Sequence, residues 1–288
     1  MPGNIDFPFI WSPDGQWLIF FRYDGDAVYS KTPVEVWITK PDRSEQHLLF
    51  TGTAYSQAIS WSANGEKFIT NCSEGDEPDS LCIVNIEDFT VKHLGYHGIS
   101  PSYSPDGELI AWIDEDEQNI MIFSEGDIEP RLIDDNARNA GELIWSKNGK
   151  DLFYISWLGS RSLGESSLFV VNVDGTSAIK LASYDKDLSL KEISPDGTQL
   201  LVLSQVNTSG ITKNGDWGLI NLSDYQYLTL PNTSETRVWF SPDGNHLLAQ
   251  NWDNGGIYEV DRQTGVSSQT EWMKWITGTF PWSWAIQP

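Results

Sequence analysis

The strongest constraint on the fold is a five-residue turn motif that occurs six times along the chain. Its copies are residues 11–15, 61–65, 103–107, 145–149, 193–197 and 240–244. Their glycines are 50, 42, 42, 48 and 47 residues apart, and four copies contain Ser-Pro-Asp-Gly. The other two contain Ser-Ala-Asn-Gly and Ser-Lys-Asn-Gly, which keep the same turn chemistry. Proline presets φ for a type I turn and glycine accepts the left-handed conformation that closes it, so each copy predicts a β-hairpin.

Short runs of β-forming residues flank every turn. One run follows the turn directly, a second comes after a loop, and a short last run ends the repeat. The second runs lie at residues 34–39, 81–86, 120–123, 168–173, 218–222 and 257–260. Repeats of this length with four short strands predict an all-β fold, a six-bladed β-propeller of four-stranded antiparallel blades. A β-sandwich also has many short strands, but it does not repeat one turn motif at near-constant spacing.

The predicted propeller fills residues 1–288 as a single domain. Its repeats start near residues 7, 58, 99, 142, 190 and 236, and residues from about 272 to 288 are expected to help close the ring. The Trp-Ser-Pro-Asp-Gly repeats resemble those of TolB-like propellers and are similar to those in the propeller of prolyl oligopeptidase-type enzymes. The resemblance covers about residues 7–260. It implies a non-catalytic module that binds a protein or peptide outside the cytoplasm, in the periplasm or as a secreted protein, although no signal peptide is visible.

The charge of the chain limits the classes of partner that it is expected to bind. There are 41 Asp and Glu residues against 18 Lys and Arg, a formal net charge of −23. Nucleic acids and anionic membranes are bound by clustered Lys and Arg, so we expect neither as a partner. No apolar run approaches the roughly 18 residues of a membrane-spanning helix, so we expect no membrane insertion. The expected assembly is a monomer with a protein or peptide partner.

Long, irregular loops are predicted on one face of the propeller. They are residues 22–33, 73–80, 114–119, 157–167, 205–216 and 252–255. Binding residues concentrate on variable loops that a rigid scaffold positions, so the ligand contacts are expected there. The candidate ligand-binding residues are Tyr23, Tyr55, His97, Arg138, Trp157, Arg161, Trp217 and Trp252. Incidental surface positions are the alternative for each of them.

Signatures of catalysis are missing from the sequence. It contains no Gly-x-Ser-x-Gly nucleophile elbow and no phosphate-binding loop, and its four histidines are not spaced for a metal site. The prediction is therefore that the chain is not an enzyme and has no catalytic or metal-binding residues. The alternative is a carbohydrate-active hydrolase or lyase with paired carboxylates in the central funnel.

No cofactor is expected, although acidic runs at residues 74–79 and 114–117 leave calcium open. Neither run matches the twelve-residue calcium loop with its central glycine. Cys72 and Cys82 lie at the end of one predicted strand and the start of the next. A disulfide between them and two free cysteines are both compatible with this placement. A disulfide would favour an oxidising compartment.

Overall fold

The fold consists of β-strands joined by turns. The computed structural model describes residues 5–23, 34–52, 59–72, 80–135, 137–157, 165–175, 177–208, 211–231, 233–234, 236–241, 243–251 and 257–268. These residues form six four-stranded sheets, and in each the strands follow one another in chain order and pair antiparallel. The predicted class of antiparallel four-stranded sheets is confirmed. None of the described residues lies in a helix that could span a membrane.

The chain forms two compact units, one ending at Leu132 and the other beginning at Ile133. The first sheet comprises β1 (Ile5–Trp11), β2 (Leu18–Tyr23), β3 (Val34–Thr39) and β4 (Gln46–Gly52). The second comprises β5 (Ser60–Trp61), β6 (Lys67–Cys72), β7 (Ser80–Asn85) and β8 (Val91–His93). The third comprises β9 (Gly98–Tyr103), β10 (Ile110–Asp114), β11 (Ile120–Phe123) and β12 (Arg131–Asp134).

The second unit contains the remaining three sheets. The fourth sheet comprises β13 (Ala140–Trp145), β14 (Asp151–Trp157), β15 (Ser166–Asn172) and β16 (Ile179–Tyr184). The fifth comprises β17 (Asp187–Ile193), β18 (Gln199–Thr208), β19 (Ile211–Asn221) and β20 (Tyr227–Thr229). The sixth comprises β21 (Thr236–Phe240), β22 (Leu247–Asn251), β23 (Ile257–Val260) and β24 (Ser267–Ser268).

The repeated motif forms the turn between the first two strands of every sheet, and its serine is the centre of that turn. Ser194 is fully buried; its Oγ donates to Asp196 Oδ1 at 2.6 Å and accepts the N–H of Gln199 at 2.9 Å. The N–H of Gly197 donates to the Ser194 carbonyl at 2.8 Å, with the glycine at φ 70°. The other five turns make the same serine-to-Asp or serine-to-Asn hydrogen bond, at 2.5–2.8 Å. Asn replaces Asp in two turns without loss of this contact, because its side-chain oxygen is the acceptor.

Apolar side chains fill the space between adjacent sheets of each unit. In the first unit, one core cluster includes Ile19 and Phe68, and another includes Ile69 and Trp112. In the second unit, one cluster joins the fourth and fifth sheets and another joins the fifth and sixth. Burial of these side chains, at roughly 25 cal/mol per Å², is the main stabilisation of sheet-on-sheet packing.

One predicted loop is largely strand. Residues 205–216 were expected to be irregular, but β18 and β19 continue into them as a long hairpin in which Thr208 pairs with Ile211. The β-branched residues of this stretch, including Val206 and Thr212, explain the extension, since branched side chains favour extended backbone.

Cys72 and Cys82 form a disulfide, with their Cα atoms 5.9 Å apart. Both cysteines are fully buried. Of the two possibilities that the sequence left open, the structure contains the bond.

Candidate functional site

Three of the eight predicted binding residues, Tyr55, Arg161 and Trp252, lie outside the described residues. Tyr23 is the last residue of β2, and its side chain also lies outside them. A ligand contact at any of these four stays a prediction.

Trp157 and Trp217 are buried rather than displayed on a loop face. They are 3% and 8% exposed, and each belongs to a core cluster of the second unit. The indole N–H of Trp217 donates to the carbonyl of Thr236 at 2.9 Å. Both residues are in strands, where side chains alternate between faces, and each ring points to the apolar side. Both rings therefore belong to the core, and a ligand contact at either residue stays a prediction.

His97 and Arg138 are the two remaining predicted contacts. His97 is half-buried between β8 and β9, and Arg138 is exposed in the turn before β13. Ser156 Oγ donates to the Arg138 carbonyl at 2.5 Å, and Asn139 Nδ2 donates to the Trp157 carbonyl at 3.1 Å. These hydrogen bonds place the turn that contains Arg138 beside the end of β14, where Trp157 lies. Among the predicted residues whose side chains are described, Arg138 and Trp157 are thus brought near each other.

A different group of interacting polar side chains lies on the first strands of the sheets in the second unit. Two of these strands carry β-bulges. In β13 the register shifts between Ala140 and Leu143, and in β17 it shifts between Leu190 and Glu192. Bulges re-aim side chains and are frequent beside active sites. Here they affect Glu142 and Lys191.

Glu142 and Lys191 contact each other across neighbouring sheets. Glu142 Oε1 accepts a hydrogen bond from Ser189 Oγ at 2.8 Å and from Lys191 Nζ at 3.2 Å. The Glu142 and Lys191 side chains are about one-third exposed (34% and 33%), whereas Ser189 is buried. The carboxylate is therefore held by two donors while solvent still reaches it.

Glu192 lies at the other side of the same strand. Burial raises the pKa of its carboxyl above the ordinary value, and the N–H of Phe240 and the charges of Lys147 and Arg237 partly oppose this shift. The Phe240 N–H lies 3.5 Å from Glu192 Oε2, so Glu192 reaches from the fifth sheet to the sixth. In the second sheet, Ser60 Oγ makes the corresponding contact, accepting the N–H of Tyr103 at 3.0 Å.

These residues had a sequence signal that the search for known motifs missed. In the six repeats, the residue two positions before the turn serine is Ile, Ser, Ser, Ile, Glu and Trp. Glu192 is the one charged residue in that series. A half-buried glutamate with a raised pKa, at a position where a neutral residue suffices, is a candidate functional residue.

A second polar feature of this unit is a groove with a volume of about 350 Å³ beside β16 and β20. Its walls include three tyrosines, Tyr184, Tyr225 and Tyr227, together with Asp224 and Gln226. Tyr184 donates its hydroxyl to the Tyr225 carbonyl at 3.0 Å, and burial raises the Tyr184 pKa to about 12. The structure brings together aromatic faces and a carboxylate that the sequence analysis did not group.

Two backbone features shape this groove, which we call the tyrosine groove. Tyr225 has φ 59°, a conformation that is unfavourable for a bulky L-residue. The ring of Tyr227 packs on Gly218, where a Cβ would approach ring atoms to 2.5 Å. Gly218 thus sets how deeply the Tyr227 ring can sit.

The acidic run at residues 114–117 has a local role in the structure. Asp114 Oδ1 accepts the N–H groups of Asp116 and Glu117 at 3.1 and 2.8 Å. Residues 74–79 lie outside the described part of the chain. The expectation of no cofactor, with calcium left open at these runs, stays a prediction.

No protein-family model matches the chain, and no curated protein sequence is significantly similar to it. Solved structures do match. TolB from Acinetobacter baumannii has a TM-score of 0.60 at 14% identity, covering 90% of this chain and 65% of its own. An oligogalacturonate lyase in complex with manganese has a TM-score of 0.62 at 15% identity, covering 94% and 79%. The periplasmic gluconolactonase of Pseudomonas aeruginosa has a TM-score of 0.59 at 16% identity, covering 91% and 83%.

These similarities correct one prediction and confirm another. The chain was predicted not to be an enzyme because familiar catalytic motifs are absent, but a lyase and a gluconolactonase share its fold. That prediction is therefore wrong as drawn, since a propeller can support catalysis without those motifs. The predicted propeller class is confirmed, while the number of blades stays a prediction. The chain has a TolB-like β-propeller fold.

Proposed function

We propose that this protein is a carbohydrate-active enzyme that hydrolyses a neutral glycan. The observation that carries the proposal is the pair of glutamates on the bulged first strands of the second unit. Glu142 is held by Ser189 and Lys191, whereas burial raises the pKa of Glu192. Glycosidic bond cleavage uses two carboxyl groups in different environments that flank the scissile bond, and this is the arrangement proposed for Glu142 and Glu192.

The two environments suggest different roles. Glu192, which retains its proton to higher pH than an ordinary glutamate, is the proposed general acid that protonates the leaving oxygen. Glu142 is the proposed carboxylate that activates water or attacks the sugar. Ser189 and Lys191 are positioning residues, because each donates a hydrogen bond to Glu142.

The charge of the chain favours a neutral substrate. A net charge of −23 and a site with two glutamates repel sugar acids over the range of a Debye length. The galacturonate specificity of the lyase with the same fold is therefore not transferred to this chain. Hydroxyl groups of a neutral sugar can instead form hydrogen bonds with Glu142, Lys191 and Glu192.

The experiment is to measure release of reducing ends from a panel of neutral oligosaccharides by wild type and single variants. Glu142→Gln and Glu192→Gln keep side-chain shape and are expected to lower turnover by at least about 100-fold. Glu87→Gln changes an exposed turn glutamate and serves as the matched control. If both site variants retain wild-type turnover, the assignment of the site is wrong.

A second candidate function is recognition of a proline-rich peptide with basic residues, favoured by the tyrosine groove. Polyproline II segments dock on aromatic-lined grooves, and Asp224 adds a negative charge beside the tyrosines. Fluorescence anisotropy with a labelled proline- and arginine-rich peptide tests this candidate. We expect binding that weakens with salt and is absent for an acidic peptide of the same proline spacing. Equal binding of both peptides, or of neither, would remove this candidate.

We also propose an extracytoplasmic location. The Cys72–Cys82 disulfide supports it, because disulfides persist in oxidising compartments. The fold shared with a periplasmic gluconolactonase is in line with it. Fractionation of the source cells, with the protein followed by antibody, tests this proposal; recovery in the cytoplasmic fraction with free thiols would contradict it.

A further inference from the structure

A histidine faces both sulfur atoms of the disulfide in the second sheet. His93 Nδ1 lies 3.5 Å from Cys72 Sγ and 3.4 Å from Cys82 Sγ. The three residues are on three successive strands, β6, β7 and β8, and Cys82 is paired directly with His93. The regular sheet fixes the positions of these three side chains. Side chains on strands are held more precisely than side chains on loops.

The distances match those of a tetrahedral zinc site. Zinc–sulfur bonds of about 2.3 Å and zinc–nitrogen bonds of about 2.0–2.1 Å place neighbouring S and N ligand atoms about 3.5 Å apart. Both sulfur-to-Nδ1 distances already have this value. Once the sulfur–sulfur bond is broken, the two sulfurs must separate, and rotation about the Cα–Cβ bond of each cysteine can provide that movement.

The donor types also suit zinc. Two thiolates and one imidazole are borderline-soft ligands that zinc favours, and a Cys₂His set with a fourth, open position occurs in catalytic zinc sites. The cysteines are fully buried, whereas His93 is exposed. The fourth position therefore has a path to solvent on the histidine side.

We infer that Cys72, Cys82 and His93 form a redox-gated zinc site. In the oxidised protein the disulfide occupies both sulfur atoms. A dithiol reductant donates two electrons to this bond and becomes a disulfide itself, leaving two cysteine thiols in the protein. Zinc then binds two thiolates and His93, and two protons leave the thiols. The site lies in the first unit and does not depend on the proposed glycan site of the second.

The test compares metal binding by oxidised and dithiol-reduced protein. After removal of reductant under argon, Zn²⁺ affinity is measured by competition with a chromophoric chelator, and Co²⁺ replaces zinc as a spectroscopic probe. We expect the reduced wild type to bind one metal ion per chain and to show a thiolate-to-cobalt charge-transfer band. The oxidised wild type is expected to show neither.

Single variants separate this site from binding by an unfolded chain. His93→Ala leaves both cysteines in place and is expected to weaken zinc binding by at least about 100-fold. His246→Ala removes an exposed histidine that contacts Glu259 and is the matched control. Near-ultraviolet circular dichroism of the reduced protein reports whether it stays folded, and zinc should raise its melting temperature.

Three results would overturn the inference. They are no zinc binding by the reduced wild type, equal affinity of His93→Ala and wild type, and equal zinc binding by the oxidised and reduced proteins.

Discussion

The hydroxyl of Ser189 on β17 donates a 2.8 Å hydrogen bond to the carboxylate of Glu142 on β13. It links the first strands of two adjacent sheets through a glutamate that lies within a bulge. A glutamate half-withdrawn from water costs stability unless its hydrogen bonds compensate, and such costs are typical of functional sites.

Glu192→Gln is expected to stabilise the protein at neutral pH while lowering glycan turnover. The pKa of Glu192 is higher in the folded state than its unfolded-state value of about 4.3. At pH values between these two pKa values, the folded state therefore binds more protons than the unfolded state. The free energy of unfolding of the wild type therefore falls as pH rises through this window. The variant lacks that loss.

The measurement is the melting temperature of wild type and Glu192→Gln at pH 4 and pH 7. The two proteins should differ least at pH 4, and the variant should melt higher at pH 7. A variant that is less stable at pH 7 would show that Glu192 contributes to folding rather than to function.

Ser194→Ala is expected to destabilise the protein by about 1–3 kcal/mol. The change leaves the N–H of Gln199 without its acceptor, the Oγ of the buried Ser194. Denaturant unfolding measures the effect. Asp196→Asn is the control, because asparagine occupies this position in two natural turns and its oxygen can accept the same hydrogen bond; it should cost less than Ser194→Ala. The reverse order would mean that the Asp196 carboxylate, which also contacts Arg262 Nη2 at 3.2 Å, contributes more to stability than the Ser194 hydroxyl.

Tyr225→Gly is expected to abolish peptide binding in the tyrosine groove with only a small loss of stability. Gly175 and Gly265 occupy left-handed positions in the corresponding turns of the fourth and sixth sheets. Relief of the strained φ partly offsets the packing that the Tyr225 ring loses against the core cluster of the fourth and fifth sheets, so the unfolding free energy should fall by no more than about 1 kcal/mol. Anisotropy and denaturant unfolding provide the two readouts. Retained peptide affinity would exclude Tyr225 from the binding surface.

Gly218→Ala is expected to change the shape of the groove, although Gly218 does not line it. The added methyl group would collide with the Tyr227 ring and push it outward, at a cost of about 1–3 kcal/mol. Peptide affinity should fall with stability. Gly126→Ala is the matched control, since a Cβ there meets no atom within 4 Å, and its effect should stay within about 0.5 kcal/mol. Unchanged peptide affinity in Gly218→Ala would show that the position of the Tyr227 ring does not matter for peptide binding.

The sheets could be predicted from sequence because their determinants are local. The hydrogen bonds that close each turn join its serine, its Asp or Asn and its glycine to residues at most five positions away, so the motif contains the whole hairpin turn. Three of the predicted second strands, at residues 34–39, 120–123 and 257–260, match β3, β11 and β23 at both ends. The long hairpin of β18 and β19 was missed because polar residues such as Asn207 and Asn214 interrupt its β-branched pattern.

The candidate site could not be predicted in the same way. Glu142 and Ser189 are 47 positions apart, and their contact depends on bulges that shift the strand register. A turn motif does not specify such bulges. The burial of Trp157 and Trp217 could not be predicted because proximity to a loop in sequence does not show which face of a strand a side chain occupies. The disulfide with His93 likewise depends on the pairing of three strands.

The most direct test of the central claim is a comparison of two matched substrates with the wild-type protein. Oligosaccharides of equal length and linkage, one of neutral sugars and one of the corresponding uronic acids, are incubated across a panel of linkages, and products are quantified by mass spectrometry. Cleavage of at least one neutral member, with its uronic acid counterpart intact, is the predicted result. Cleavage of uronic acid substrates alone, or of no substrate in the panel, would contradict the claim.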